Sequence, residues 1–349
     1  MSLTLLIPEL LWPEPQDARA FDGLSCPSLS TLLARSRFLR EPNQAFESCL
    51  AGLCGHSGTS GLAALRRLGE IAPAADEETP SGTWICADPV HLHFRQERLI
   101  LADASRLIIS PEEAGQLAAT LNEHLADTGN LVVATADRWY LRLAGNVASE
   151  LATIPPLSAV AGRSVETIQP EARELRRLLN EVQMLLHAHP VNRQREENGK
   201  MTINSLWLWG AGSSPEKTEC PFDNIWSDNP LARGLARAAA IPASPVPAEA
   251  TALLQAKGNN TNSLVVIEDL LASAQYQDAD AWRTALNELE TRWFAPLRSA
   301  LFSGRIRQLR IAAPTAYGSL FWTIQRHDLC KLWRKPQAPE ALVKSLAGS

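Results

Sequence analysis

One stretch constrains this chain more than any other: His189-Pro190-Val191-Asn192-Arg193-Gln194-Arg195, leading through Gly199 to Ile203-Asn204-Ser205-Leu206-Trp207-Leu208-Trp209-Gly210-Ala211-Gly212. It reads as a helix end, a polar basic turn and a strand that delivers a Gly-x-Gly turn. Such a turn is a common way to bring backbone amides up to an anionic ligand. Asn192, Arg193, Arg195 and Asn204 are therefore the candidate ligand-binding residues, with Lys200 close by. The competing reading makes the basic residues a solvated turn and Trp207 and Trp209 part of a fully buried core strand.

Around this stretch the chain alternates strands and helices. Leu3 to Leu11 reads as a buried first strand, and Pro27 to Arg37 as a helix with Ser25 or Ser28 near its start. Phe46 to Gly69 reads as loop plus helix. Ala72 to Gly82 turns to Pro, Asp, Glu, Thr and Ser, the composition of a connection between domains. Beyond it, strand-like runs at Thr83–His93 and Arg98–Asp103 precede a helix opened by Ser110-Pro111-Glu112-Glu113, and two further strands follow at 131–134 and 139–143. The helix start supplies an N-cap, a first-turn proline and two carboxylates where the helix dipole favours them. A long helix is expected over Gln169–His187. Then come a strand at Ser205–Trp209, a helix at Pro230–Ala239, a strand at Ser263–Ile267, a helix at Ala279–Ser303 and a strand at Gln308–Ala312. The simplest architecture is an α/β core with a mostly parallel sheet, made by residues 1–72 and 188–349 and interrupted by an α+β lobe at 73–187.

Composition excludes several classes. With 45% apolar and 20% charged residues the 349-residue chain is an ordinary globular protein. A net charge of -5 gives no overall attraction to nucleic acid or anionic membranes. The apolar run Leu3–Ile7 has no basic residues before it and is cut by Pro8 and Glu9, so neither a signal peptide nor a span is expected, and a cytoplasmic location is the default. Cys26, Cys49, Cys54, Cys86, Cys220 and Cys330 form no C-x-x-C pair, which leaves buried reduced thiols as the plain reading.

The pattern H-P-V-N-x-x-R-x-x-x-G-x-x-x-x-N-x-x-W-L-W-G-x-G resembles a segment of archaeal-type cofactor-independent phosphoglycerate mutases, members of the alkaline phosphatase superfamily. Pro27-Ser28-Leu29-Ser30-Thr31-Leu32-Leu33 is similar to that family's first helix. Trp84 to Asp103 with Ile109-Ser110-Pro111-Glu112-Glu113-Ala114 is similar to the strand pair and I-x-x-E-E-A helix start of its inserted lobe. Within the family the chain looks closest to a bacterial, degenerate branch with regulatory members. The resemblance implies an alkaline-phosphatase-like core and phosphoryl transfer through a serine or threonine set between two divalent ions, manganese or zinc, which neutralise phosphoryl charge and lower the serine pKa.

The implied donors are largely missing. Where the resemblance expects Asp-Gly after the first strand, the chain reads Ile7-Pro8-Glu9-Leu10. Ser48 occupies the position similar to the nucleophile, in Glu47-Ser48-Cys49, and its plain alternative is a helix-cap serine. The strands expected to lead into His and Asp-His donors run into Glu268-Asp269-Leu270-Leu271 and Ala312-Ala313-Pro314-Thr315, and His327 is the sole histidine beyond His189. The expectation is therefore a binding or regulatory protein without resident metal or cofactor. Its partner would be a phosphate-bearing small molecule or a protein, not nucleic acid or membrane. The alternative is an active phosphomutase or phosphatase with two dications in a rearranged site drawn from Glu9, Ser48, Asp269, His327 and Asp328.

Rival sites carry less. His91-x-His93 with Asp88 has the strand spacing for zinc but lacks an evident third ligand, and a polar strand face is the plainer reading. Cys49 and Cys54 lie near possible helix starts, which lowers a thiol pKa, yet no neighbouring base is identifiable. Gly210-Ala211-Gly212-Ser213-Ser214 lacks a Walker lysine and the third glycine of a dinucleotide fingerprint.

Overall fold

The computed structural model describes residues 1–71, 82–144, 154–165, 173–213, 218–255 and 261–348, with the side chains of 173–175 left aside. The expected inter-domain connection at 72–81 and the first four residues of the expected helix Gln169–His187 lie outside the described residues.

The chain divides into two compact units: a core of Met1–Gly55 with Glu219–Ser349, and a lobe of His56–Thr218. Its strands are β1 Ser2–Leu6, β2 Arg37–Glu41, β3 Trp84–Arg95, β4 Arg98–Ala102, β5 Gly129–Thr135, β6 Arg138–Leu143, β7 Ser205–Gly212, β8 Asn224–Trp226, β9 Ala243–Ser244, β10 Asn262–Val266, β11 Gln308–Thr315 and β12 Gly318–Gln325.

The core sheet has seven strands in the order β2-β12-β11-β1-β10-β8-β9. Strands β11, β1, β10, β8 and β9 are mutually parallel, and β12 and β2 close one edge antiparallel. Parallel pairing buries both faces under helices, which is why β1 and its continuation read as a mostly apolar run, with Thr4 the polar exception. One face carries Leu3, Leu5, Val265, Leu309 and Ile311, packed on Trp282, Leu286, Trp293 and Leu297 of the C-terminal helices. Those helices occupy Ala279–Leu289 and Ala295–Phe302, joined by a π-helical turn at Glu290–Phe294 in what was expected as one helix. The turn buries Glu290, whose carboxylate accepts from the Ser28 and Leu29 N–H groups at 2.7 and 3.0 Å. The helix Pro27–Arg35 is thus capped from across the core, and neither Ser25 nor Ser28 caps it; its N-cap residue is Cys26.

The lobe boundaries differ from those expected at 72 and 188. Residues 56–71 and 188–213 belong to the lobe, because β7 pairs antiparallel with β3 and not with the core sheet. The lobe sheet runs β4-β3-β6-β5 with β7 on β3, and the helix Leu62–Glu70 packs against β3 and β7. Phe46–Gly69, read as one loop and helix, is two helices, Phe46–Leu53 in the core and Leu62–Glu70 in the lobe.

A buried polar network explains why the second of these helices goes with the lobe. Arg66 donates to both Asp88 oxygens at 3.0 and 2.8 Å, Trp209 Nε1 donates to Asp88 Oδ2 at 2.8 Å, and the guanidinium lies 5.3 Å from the Tyr140 ring and 5.4 Å from the Trp209 ring. Asp88 is 1% exposed and Arg66 7%, so each charge is tolerated only because the other neutralises it.

Candidate functional site

The signature segment is architectural. Pro190–Glu197 is a helix rather than a turn, and His189 is its N-cap, accepting from the Val191 N–H through Nδ1 and meeting Thr120 Oγ1 through Nε2 at 3.0 Å. A ring that accepts at Nδ1 is neutral, with its proton on Nε2. Burial, with a smaller effect from the Arg193 charge, depresses the His189 pKa and keeps it so.

Asn192 is 2% exposed and saturated: its Nδ2 donates to the Leu186 and Ile203 carbonyls, each at 2.7 Å, and its Oδ1 accepts from the Ile203 N–H at 2.8 Å. Asn204 exchanges both amide bonds with the Leu92 backbone on β3, at 2.8 Å each. Arg195, 1% exposed, donates through Nε to Met201 O, through Nη1 to Glu113 Oε2 and through Nη2 to Leu107 O. Glu113 in turn closes the capping box of the helix Pro111–His124 by accepting from the Ser110 N–H. Arg195 of one resembling motif and Glu113 of the other therefore meet in a single ion pair of 2.7 Å. Asn192, Arg195 and Asn204, expected as ligand contacts, hold the lobe together. Arg193 alone of the four is exposed, and it donates to Ala188 O.

The Gly-x-Gly element is likewise a packing device. It forms the end of β7, buried throughout, and not a turn. Gly210 has φ +68 and Gly212 φ +149. A Cβ on Gly212 would sit 2.5 Å from Gly61 N, and one on Gly210 3.2 Å from Ala63 N. Glycine is needed there so that the helix Leu62–Glu70 can dock its first turn on the strand.

The carboxyl edge of the core sheet is where an α/β protein builds its site. After β1, Glu9 is buried with φ 54, its N–H bonded to Pro314 O and its carbonyl accepting from Trp282 Nε1 at 2.9 Å. After β10, Glu268 accepts from Asn229 Nδ2 at 2.9 Å, and Asp269 pairs with Arg292 at 2.9 Å. After β11 the chain makes a tight reversal into β12, with Thr315 Oγ1 donating to Gly318 O and accepting from the Tyr317 N–H. That hairpin closes where the resemblance expects an Asp-His pair.

Asp328 and His327 cannot join Glu9 or Asp269. They follow β12, whose last residue Gln325 pairs with Gln308 at the start of β11. They therefore lie at the amino edge, separated from the other two by roughly 20 Å of strand at about 3.3 Å per residue. Burial works to raise the Asp328 pKa, but bonds from Lys331 and the Gln325 N–H outweigh it and hold the carboxyl below its ordinary value. Among the described residues no three His, Cys, Asp or Glu side chains converge as a metal cage. The core unit's donors do not fit a two-dication centre: at the carboxyl edge Glu268 and Asp269 are committed to Asn229 and Arg292, Glu9 and the exposed Asp228 are too few to hold two dications, and the unit's one histidine, His327, lies at the other edge.

Ser48 stands third in the helix Phe46–Leu53, whose N-cap is Ala45, so it is neither a cap nor hydrogen-bonded to a base among the described residues. His91 and His93 stack with ring centroids 5.3 Å apart, and His91 Nδ1 meets Thr202 O at 2.9 Å. Asp88 points to the other strand face and is held by Arg66, so these three do not form a zinc site. Burial pushes the Cys49 thiol up to about 12. The thiol pair that sequence reasoning missed is Cys54 with Cys220: hydrogen bonding from Cys54 lowers Cys220 to about 7, while the same bond and burial raise Cys54. The two lie 166 positions apart, so sequence spacing offers no signal of their meeting.

No family model matches the chain. It is 32% identical over 130 residues to a 2,3-bisphosphoglycerate-independent phosphoglycerate mutase of Methanosarcina barkeri, covering 36% of this chain and 32% of that enzyme. A probable enzyme of the same description from Geobacter sulfurreducens is 39% identical over 66 residues, 18% of this chain and 16% of the other. Its homologues are cofactor-independent phosphoglycerate mutases. The chain spans about a third of the length of the first curated relatives it matches, 32% and 37%. A solved structure of a Pyrococcus horikoshii protein superposes with a TM-score of 0.53 at 13% identity, over 93% of this chain and 87% of that one, which extends the shared fold to both units. Among the described residues no helix is long and apolar enough to cross a membrane.

Proposed function

We propose that this chain is a phosphoglycerate-mutase-like protein that keeps the fold of its relatives without the two-metal phosphoryl-transfer centre, and that it works by binding, as a regulatory protein. The observation that carries this reading is the carboxyl edge of the core sheet. There the β11–β12 hairpin stands where the resemblance implies an Asp-His segment, and Asp269 pairs with Arg292 while Glu268 bonds Asn229. A serine nucleophile needs an adjacent base or cation to be reactive near neutral pH, and Ser48 has no hydrogen-bonded base or acid among the described residues. The location we assign is cytoplasmic, and the ligand classes are a phosphate-bearing small molecule or a protein.

The second reading, an active metal-dependent mutase or phosphatase with a rearranged site, is favoured by one observation: Ser48 lies in the first turn of its helix, where the dipole stabilises an anion. The test is interconversion of 3- and 2-phosphoglycerate by purified protein supplied with manganese or zinc, beside Ser48→Ala. No turnover above the buffer control supports loss of the centre. Turnover abolished by Ser48→Ala establishes the second reading.

A further inference from the structure

The second face of the core sheet carries a cavity of about 500 Å³ that the phosphatase-like reading does not use. Register places its lining. Thr4 is level with Arg310 across β1 and β11, Arg310 with Thr323 and Phe321 with Leu39 across the antiparallel strands, so Thr4, Arg310, Phe321 and Glu41 all project from the face opposite the Trp282 core. The helix Phe46–Leu53 forms the wall above them through Cys49 and Gly52. Every lining residue belongs to the core unit.

The electrostatics of this cavity are unusual for a sheet face. Arg310 is half-buried, with its guanidinium 4.7 Å from the Phe321 ring centroid. It makes no ion pair and donates no hydrogen bond among the described residues, whereas Arg66 and Arg195 elsewhere are fully engaged. Glu41, also half-buried, has no ion pair or side-chain hydrogen bond there either. Two opposite charges thus line one cavity without meeting, and a ligand carrying both complementary charges would pair each of them. Seated over the ring, the guanidinium keeps its N–H donors available for a fork-like contact with a carboxylate. The volume lies within the range of small-molecule sites, and the lining mixes an aromatic wall with a few polar groups, as such sites do.

We propose that this cavity binds a small zwitterion of the α-amino acid type, its carboxylate on Arg310 and its ammonium toward Glu41. One cation and one anion in the lining favour a ligand of net zero charge. A multiply anionic phosphate ester would place excess negative charge beside Glu41. The proposal is independent of whether phosphoryl transfer has been lost, because its site shares no residue with the carboxyl edge.

The experiment is a thermal-shift screen of the full chain against the standard α-amino acids one at a time, with 3-phosphoglycerate and inorganic phosphate as anionic arms, followed by calorimetry. At least one amino acid is expected to stabilise the protein. Arg310→Gln and Glu41→Gln are each expected to weaken that amino acid about tenfold or more, while the unliganded melting temperature stays near wild type. The proposal is overturned if no amino acid binds, if binding is unchanged in both variants, or if only the anionic arms bind and Glu41→Gln strengthens them.

Discussion

Replacing Arg195 by alanine separates an architectural signature from a ligand-binding one. The side chain is 1% exposed and its three bonds go to Met201 O, Glu113 and Leu107 O. Losing it strands the Leu107 carbonyl and removes a charge-assisted bond to Glu113. Each unsatisfied buried group costs about 1–3 kcal/mol, and the charged bond contributes about 1.5–3 kcal/mol. Glu113 keeps its capping bond and is 20% exposed in its side chain, which softens the loss, so a destabilisation of about 3–5 kcal/mol is expected for the lobe. Arg195→Lys retains the charge but not the fork, and should recover less than half. Urea unfolding read by hydrogen exchange on β7 measures this, with the midpoint falling and the slope unchanged. A change under about 1 kcal/mol, or a variant of native stability that has lost affinity for a phosphate ester, would refute the structural assignment.

Three further outcomes follow from the same geometry. Asp88→Ala leaves Arg66 buried and unpaired, and should destabilise the lobe by about 3–5 kcal/mol in the same exchange assay, more than the double variant Arg66→Met/Asp88→Ala. Iodoacetamide should label Cys220 with an inflection near pH 7, rising toward the ordinary thiol range in Cys54→Ala, while Cys49, held at about 12 by burial, stays unlabelled in the native protein. The His189 pKa is lowered in the folded state, so its contribution is fully present above the ordinary value near 6.5 and is lost as pH falls through the folded value. His91, depressed chiefly by burial, acts in the same direction. Lobe stability should therefore drop on acidification below about 6.5, and His189→Asn, which keeps a capping acceptor without titrating, should flatten that slope.

The alternation of strands and helices was legible because each element carries its own local pattern: Leu3–Ile7 as a mostly apolar run, Ser110-Pro111-Glu112-Glu113 as a helix start whose N-cap serine and first-turn proline form as expected, with Glu113 closing a capping box besides. The partner of β7 was not legible. A buried strand looks the same whether it joins a parallel core or pairs antiparallel with β3, and only Trp209 reaching Asp88 reveals which. The same limit applies to the signature. Asparagine and arginine beside glycines suit an anion site or a buried hydrogen-bond clamp equally well, and the choice depends on Glu113 and Leu107, 82 and 88 positions from Arg195. Edge strand β2 escaped notice because the charged residues Arg37, Arg40 and Glu41 mask a strand pattern that an edge tolerates. Missing imidazoles, by contrast, are visible in sequence directly, since no fold can supply a side chain the chain does not encode.

The central claim is that the carboxyl edge of the core sheet cannot cage a pair of dications. Equilibrating purified protein with manganese or zinc, removing excess and counting metal per chain tests it directly. The account predicts substoichiometric metal that is unchanged by Ser48→Ala or Glu9→Gln. Two tightly held ions per chain, lost in those variants, would contradict it.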